Sequence, residues 1–289
     1  MKIISLVHTY LDSVDLEPVL TALINNRPTK YTHDIFVIEN GLDESQQSKY
    51  QEKFPNITYI KSEKFIGISQ GLNLGIKQAL QNQPDFLWLT DPFILPEPDM
   101  LDQLFAAADR YKDCLGFTPK IFTDNSLKKI SSAGYMTDWT NLIFSPRAQN
   151  EPDGQFFDRD LEIDYIPANQ LFLRAKTWSE VGLFDTRYFA QFYDIDLFMK
   201  IRNRGFHLNF ISSGHAVKTT GGISYPTSAV TYYYLRDKIY FSLLHAPVTT
   251  KIASLKEAFD KYFHGAPWER RAILDIFTGN LGSGSYQWE

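Results

Sequence analysis

Strand-like and helix-like patterns alternate through the first 110 residues, and few architectures accept that order. Residues 3–8, IISLVH, form an apolar run too continuous for a strand with one wet face. After a Thr9-Tyr10 turn, Leu16, Val19, Leu20, Leu23 and Ile24 recur at helical spacing. Residues 34–38, DIFVI, repeat the strand pattern and stop at Glu39-Asn40-Gly41. A shorter strand follows at 57–60, and Gly67, Gly71 and Gly75 then lead into or punctuate a helix ending near Leu80. The fourth strand, 86–89, stops at Thr90-Asp91-Pro92 before a helix over 98–108. This alternation predicts an α/β fold, a mostly parallel sheet with helices on both faces. Ligands of such sheets bind beyond the carboxyl ends of the strands, which here carry Thr9, Tyr10, Glu39, Asn40 and Asp91.

The pattern loosens after residue 115. A strand over 116–121, a hairpin or meander over 128–143 and a polar loop over 145–160, read as a lid, precede a strand at 163–166. The segment LFLR and a helix over 176–181, closed by Gly182, come next. In the following stretch, LFDTRYFAQFYDIDLF at 183–198, Asp194 and Asp196 interrupt an apolar and aromatic run. Carboxylates there are costly to bury unless something basic, metallic or protic meets them. Ile195, Phe198, Met199 and Ile201 continue at helical spacing to Gly205, which puts Asp194 near an N-cap and Asp196 in a first turn. A capped helix with an acidic first turn and a functional carboxylate both satisfy this pattern. A strand over 206–211, a Gly221-Gly222 turn, an aromatic helix over 228–244 and helices over 251–263 and 267–277 complete the chain, with Pro267 at a first helical turn.

Length and charge narrow the function. The 289 residues suffice for one large α/β domain with an extension. A net charge of -5 offers no basic field for nucleic acid. One cysteine, Cys114, allows no disulfide within the chain and fits a reducing compartment. The opening MKIISLVHTYLDS is too short an apolar stretch for a signal peptide, and no run nears the roughly 18 residues of a membrane helix, so the expected location is cytoplasmic. The six histidines lack a metal-ligand spacing, and HTYLDSVD carries no glycine-rich phosphate loop of the nucleotidyltransferase kind.

In their order, these motifs resemble glycosyltransferase family 2, a family of GT-A fold, and within it a rhamnosyltransferase-like branch. IISLVHTY is similar to that family's first strand, and FVIENG to its second, whose terminal acidic residue helps hold the nucleotide base. FIGISQGLNLGI resembles the family's N-x-G-x-x-x-x-x-N-x-G segment, and LWLTDP the strand entering its Asp-x-Asp motif. The block from PANQLFLR to KIRNRGF resembles the acceptor-side motif that contains a Glu-Asp pair, and YYYLRDKIYF and AILDIFTGNLG resemble the C-terminal helices.

The resemblance implies a GT-A-like, Rossmann-like domain over 1–245 and a helical extension over 246–289. Within the domain, 1–110 would be the nucleotide-binding half and 111–245 the acceptor side. It implies inverting transfer of a sugar from a nucleotide-diphosphate donor to an acceptor hydroxyl, with Asp194 as general base. Thr9, Tyr10, Glu39, Gly67, Asn73 and Asp91 would hold the nucleotide sugar, and Asn169, Lys218 and Arg236 the diphosphate or acceptor. The acceptor class is a saccharide or glycolipid of polysaccharide or glycolipid synthesis. Trp268, Arg270, Arg271, Ile273 and Leu274 mix apolar and basic residues suited to peripheral contact with the inner membrane face.

The metal machinery departs from the family pattern. Asp-x-Asp reads Asp91-Pro92-Phe93, Tyr193 stands before Asp194, and Thr219 or Thr220 replaces a metal histidine. For manganese or magnesium this leaves Asp91 and diphosphate oxygens, a thin shell for a hard cation. Lys218, Arg236 or Lys238 would then supply the positive charge. The alternative function is a catalytically silent module that binds sugar nucleotides or serves as a scaffold.

Overall fold

The computed structural model describes residues 1–10, 14–26, 30–42, 44–219 and 226–286, with side chains left out at 44–47. Thr220 and the Gly221-Gly222 turn lie outside the described residues. Alternate residues of the first strand, β1 (Lys2–Tyr10), enter two different cores, because successive side chains of a strand point to opposite faces. Ile3 and Val7 meet Val19, Leu20 and Leu23 of α1 (Glu17–Asn25). Ile4 and Leu6 join the core that contains Ile68, Leu72 and Ile76 of α3 (Ile68–Leu80). Between these helices run β2 (Thr32–Asn40), α2 (Glu44–Lys53) and β3 (Thr58–Ser62). Sequence periodicity does not reveal α2, because ESQQSKYQEK has no apolar stripe and Tyr50 alone packs from its last two turns.

The chain continues through β4 (Phe86–Thr90), β5 (Ile94–Pro96), α4 (Met100–Arg110) and β6 (Cys114–Phe122). Small strands β7 (Ile130–Ser132), β8 (Tyr135–Asp138), β9 (Ile143–Pro146) and β10 (Leu161–Glu162) follow. Next come β11 (Gln170–Arg174), α5 (Thr177–Glu180), α6 (Tyr193–Asn203) and β12 (His207–Lys218). Three helices close the described chain: α7 (Thr227–His245), α8 (Val248–His264) and α9 (Pro267–Thr278).

Among the described residues the sheet runs in the order β10-β12-β6-β11-β4-β1-β2-β3, with β5 on β12 and β7 on β6. β1 is parallel to β2 and β4, β2 to β3, and β6 to β12, whereas β11 runs against both of its neighbours. The result is the mostly parallel sheet that the alternation predicts, with a helical region at its C-terminal end. Two expected features differ in detail. Strand pairing near 163–166 moves to Leu161 and Glu162, and Tyr165 makes only an isolated bridge to Tyr135. The polar segment 145–160 is pinned rather than free: Lys120, 1% exposed, donates to Asp153 at 2.8 Å and Asp158 at 3.3 Å.

Helix α3 lies tight against the sheet. A Cβ on Gly75 would come within 2.2 Å of Ile38 Cδ1, so only glycine lets the helix approach this closely. At the C-terminal end, Tyr232, Tyr233 and Ile239 of α7 pack with Ala258 of α8 and Ala272 and Ile273 of α9. The segment after α9 returns to this bundle, where Ser285 N donates to Asp275 at 2.8 Å.

Candidate active site

A cleft of about 510 Å³ opens at the carboxyl ends of β1 and β4. His8 and Tyr10 come from β1, Thr90 and Asp91 from the end of β4, and Tyr165, Ala168 and Asn169 from the segment entering β11. Tyr193 and Asp194 open α6, Leu142 and Phe144 belong to the β8–β9 hairpin, and Tyr234 comes from α7. Rings with hydroxyl groups and two carboxyls make a wall that is largely apolar and polar at a few fixed points.

Asp194 reaches this wall through a backbone turn. Phe192, just before α6, has φ +60°, a left-handed conformation that costs a non-glycine residue about 1 kcal/mol or more. The turn sets Asp194 in the first helical turn, where the helix dipole favours negative charge. Its Oδ2 accepts from Tyr165 Oη at 2.6 Å and from Ala168 N at 3.3 Å, and Oδ1 accepts from Ile195 N at 2.9 Å. Burial pushes the carboxyl above its ordinary range, while the Tyr165 hydroxyl and the backbone donors pull it back. A desolvated carboxylate with lone pairs to spare is a stronger base than one in water. Asp196 faces away, 1% exposed, held by His245 Nε2 at 2.8 Å and Lys200 Nζ at 2.5 Å, and so ties α6 to α7.

Tyr165 has no signal in the sequence, because it meets Asp194 across 29 residues. Its hydroxyl stabilises the ionised form of that carboxyl, so Tyr165→Phe raises the Asp194 pKa further. If Asp194 is the base, the acidic limb of the pH–rate profile then moves to higher pH, with a loss of roughly tenfold on that limb. A profile that superimposes on the wild-type curve would separate Tyr165 from the reaction.

Asp91, at the other side of the cleft, is half-buried. Its Oδ2 accepts from Asn169 Nδ2 at 2.6 Å and its Oδ1 from Phe93 N at 2.8 Å. Burial raises its pKa, opposed first by Asn169 and also by the charge of Lys218. Lys218 is exposed at the end of β12, opposite Ile94 of β5 in register. Among the described residues no three His, Cys, Asp or Glu side chains are grouped to hold a metal ion, so at this strand end the protein would offer an ion the Asp91 carboxylate, whose oxygens each keep a lone pair beyond the bonds from Asn169 and Phe93.

The remaining expected site residues divide. Tyr10 lines the cleft beside His8, whose burial pushes the imidazole down to about 3 and keeps it neutral. Asn40 fixes the floor: its Oδ1 accepts from Ile66 N at 3.1 Å, and its Nδ2 donates to Gly67 O at 2.9 Å and approaches His8 Nε2 at 3.2 Å. Gly67 has φ +92°, and a Cβ there would meet the Phe189 ring at 2.6 Å. Thr9 and Glu39 are buried at the neighbouring strand ends, outside the cleft lining, and neither Glu39 oxygen has a hydrogen-bond partner among the described residues. Burial holds the Glu39 carboxyl above its usual range against the charge of Lys61.

Asn73, Arg236 and Lys238 are engaged outside the cleft lining. Asn73 clamps Phe184, donating to its carbonyl at 2.8 Å and accepting from its N–H at 3.1 Å. Arg236 is fully buried in α7 and ion-paired with Asp237 at 2.8 Å. Lys238 likewise pairs with Glu257, at 2.9 Å.

Three solved structures share this architecture. GalNAc-T7 with UDP, GalNAc and Mn2+ is 14% identical with a TM-score of 0.59, over 96% of this chain and 57% of that one. The chain therefore spans just over half the length of that structure. S. aureus TarS 1-349 in complex with UDP-GlcNAc is 14% identical with a TM-score of 0.57, over 96% of this chain and 79% of that one. The mannosyltransferase PcManGT from Pyrobaculum calidifontis, in complex with GDP-Man and Mn2+, is 16% identical with a TM-score of 0.55, over 98% of this chain and 76% of that one. At these identities the likeness is one of fold, and that fold is GT-A-like. No curated protein matches the sequence. The family model described as glycosyl transferase family 2 matches residues 6–179, from the first strand to α5, and the chain belongs to that family.

Proposed function

We propose that the protein is an inverting glycosyltransferase that moves a sugar from a nucleotide-diphosphate donor to an acceptor hydroxyl, with Asp194 as the general base. One observation carries this reading: a desolvated carboxylate faces a ring-lined cleft at the carboxyl ends of β1 and β4. In the proposed step the acceptor O–H gives its proton to Asp194. The acceptor oxygen forms a bond to the anomeric carbon as the bond from that carbon to the diphosphate oxygen breaks. The nucleoside diphosphate leaves with the bonding pair. Tyr10 flanks the nucleotide, with Thr9 and Glu39 behind it, and Asp91 and Asn169 orient the sugar. Three fold neighbours hold UDP, UDP-GlcNAc or GDP-Man, which supports a nucleotide-sugar donor. For this chain the first donors to test are deoxythymidine diphosphate rhamnose and uridine diphosphate sugars, against a saccharide or glycolipid acceptor.

Lys218 is the cation we assign to the departing diphosphate, since its charge already acts on Asp91. Lys218→Ala is expected to lower kcat by about tenfold, a modest loss because an exposed charge is screened. Chelator is expected to leave turnover unchanged. Full activity in the variant, or abolition by chelator, would remove Lys218 from this role. The broader reading is tested by a thermal-shift panel of nucleotide sugars followed by product analysis. A donor that raises the melting midpoint yet gives no product with any acceptor would favour a silent binding module.

A further inference from the structure

Helix α8 is built inside out. Its inward face is small and polar, with Thr250, Ser254 and Ala258 buried against the bundle, and Thr250 donates to Thr140 O at 3.2 Å. Its outward face carries Val248, Ile252, Leu255, Phe259, Tyr262 and Phe263. These are not core residues that protrude slightly: Val248 is 72% exposed, Phe259 66% and Phe263 53%. At 3.6 residues per turn the six fall within an arc of about 100° that contains none of the buried residues Thr250, Ser254 and Ala258.

Lysines border this stripe on both edges, Lys251 on one and Lys256 on the other, and neither is ion-paired among the described residues. The acidic residues of α8 lie outside the stripe and are engaged, Glu257 with Lys238 and Asp260 with His264. At the C-terminal end, Arg270 of α9 donates to Phe263 O at 3.2 Å and Gly265 O at 3.0 Å, adding a further cation. By contrast, the segment singled out in α9 turns Ile273 into the bundle. No helix among the described residues is long and apolar enough to cross a membrane.

We propose that the outward face of α8, an apolar stripe edged by Lys251 and Lys256, docks the protein onto an anionic lipid surface. A large apolar face with basic edges lies in the plane of a bilayer interface, rings below and ammonium groups snorkelling to the headgroups. A second copy of the chain fits this face poorly. It would bring lysine edge against lysine edge with no free carboxylate between. A face about 25 Å long and about 10 Å wide also falls well short of the roughly 800 Å² per partner of a stable interface. This docking goes beyond sugar transfer and does not depend on it. It would present a lipid-anchored acceptor to the β8–β9 hairpin, which α8 touches at Thr140 and which lines the cleft.

The test is co-sedimentation of the full chain with phosphatidylcholine vesicles, with and without phosphatidylserine, and light scattering of the protein alone. Binding is expected only where phosphatidylserine is present, and weaker at high salt. The double variant Phe259→Ser/Phe263→Ser is expected to bind about tenfold more weakly or worse, and Lys251→Glu/Lys256→Glu to lose the phosphatidylserine preference. Circular dichroism checks that both variants melt as the wild type does; Lys256, Phe259 and Phe263 are exposed and Lys251 is half-buried without an ion pair among the described residues, so they should. Equal binding by wild type and variants, or none by wild type, overturns the proposal. So does a dimer that the phenylalanine substitutions dissolve. None of these readouts needs turnover, so a failure here leaves the transfer reading standing.

Discussion

Asp194→Asn is expected to lower kcat by roughly 10²–10⁴ and leave the protein folded. The amide keeps the size of the carboxyl, and its oxygen still accepts from Tyr165 Oη and Ala168 N; its NH2 group gives up the bond from Ile195 N and takes no proton from an incoming hydroxyl. Relief of the buried charge is expected to outweigh that lost bond at neutral pH. Burial raises the folded-state pKa of Asp194, so ionising it costs the folded chain more than the unfolded one. That penalty is absent below the unfolded value of a carboxyl and grows as pH rises through the folded value. The variant should therefore melt at or above the wild-type midpoint at neutral pH, and the gap should close in acid. Steady-state turnover with a donor and acceptor pair, alongside melting curves at several pH values, checks both halves. Unchanged kcat would end the general-base assignment.

The second large effect is on stability. Arg236 and Asp237 are adjacent on α7 and both fully buried. Burial pushes the Asp237 carboxyl up, while the Arg236 guanidinium and the backbone N–H groups of Gln191 and Phe189 pull it down. Arg236→Met keeps much of the volume but strands the carboxyl without its cation, at a cost of roughly 3–5 kcal/mol. The loss should deepen as pH rises, because the stranded carboxyl stays protonated to a higher pH in the folded chain than in the unfolded one. Adding Asp237→Asn should recover more than half of the loss, since the amide oxygen still accepts from both N–H groups. Denaturant melts of the single and double variants measure this directly. Equal destabilisation of the two would assign the effect to packing instead of charge.

Arg236 also shows where a sequence stops being readable. A cation in an aromatic helix reads as a solvated charge available to a diphosphate, and only the returning segment at 282–286 and the loop at 187–191 enclose it. Asp194 was legible because a carboxylate amid apolar neighbours demands a partner wherever it folds. The strand ends were legible for a similar reason: β1, β2 and β4 are buried on both faces, so their polar terminal residues mark the edge of the sheet. Tyr165 was not, since its partner lies 29 residues away and its own neighbourhood has no period. Helix α2 stayed hidden because propensity without an apolar stripe leaves little mark.

Strand β11 runs opposite to β4, with Gln170 across from Thr90 in register. That reversal alone brings Asn169, just before one strand, beside Asp91, just after the other. A deletion of one residue within either strand would flip the pairing parity and send the Asn169 amide to the far side of the sheet. Diversification of this scaffold must therefore keep the lengths of 86–90 and 170–174 fixed and retain Asp91 and Asn169 at their ends. Loop exchange on this scaffold is therefore expected to succeed only where that hydrogen-bonded frame is inherited intact.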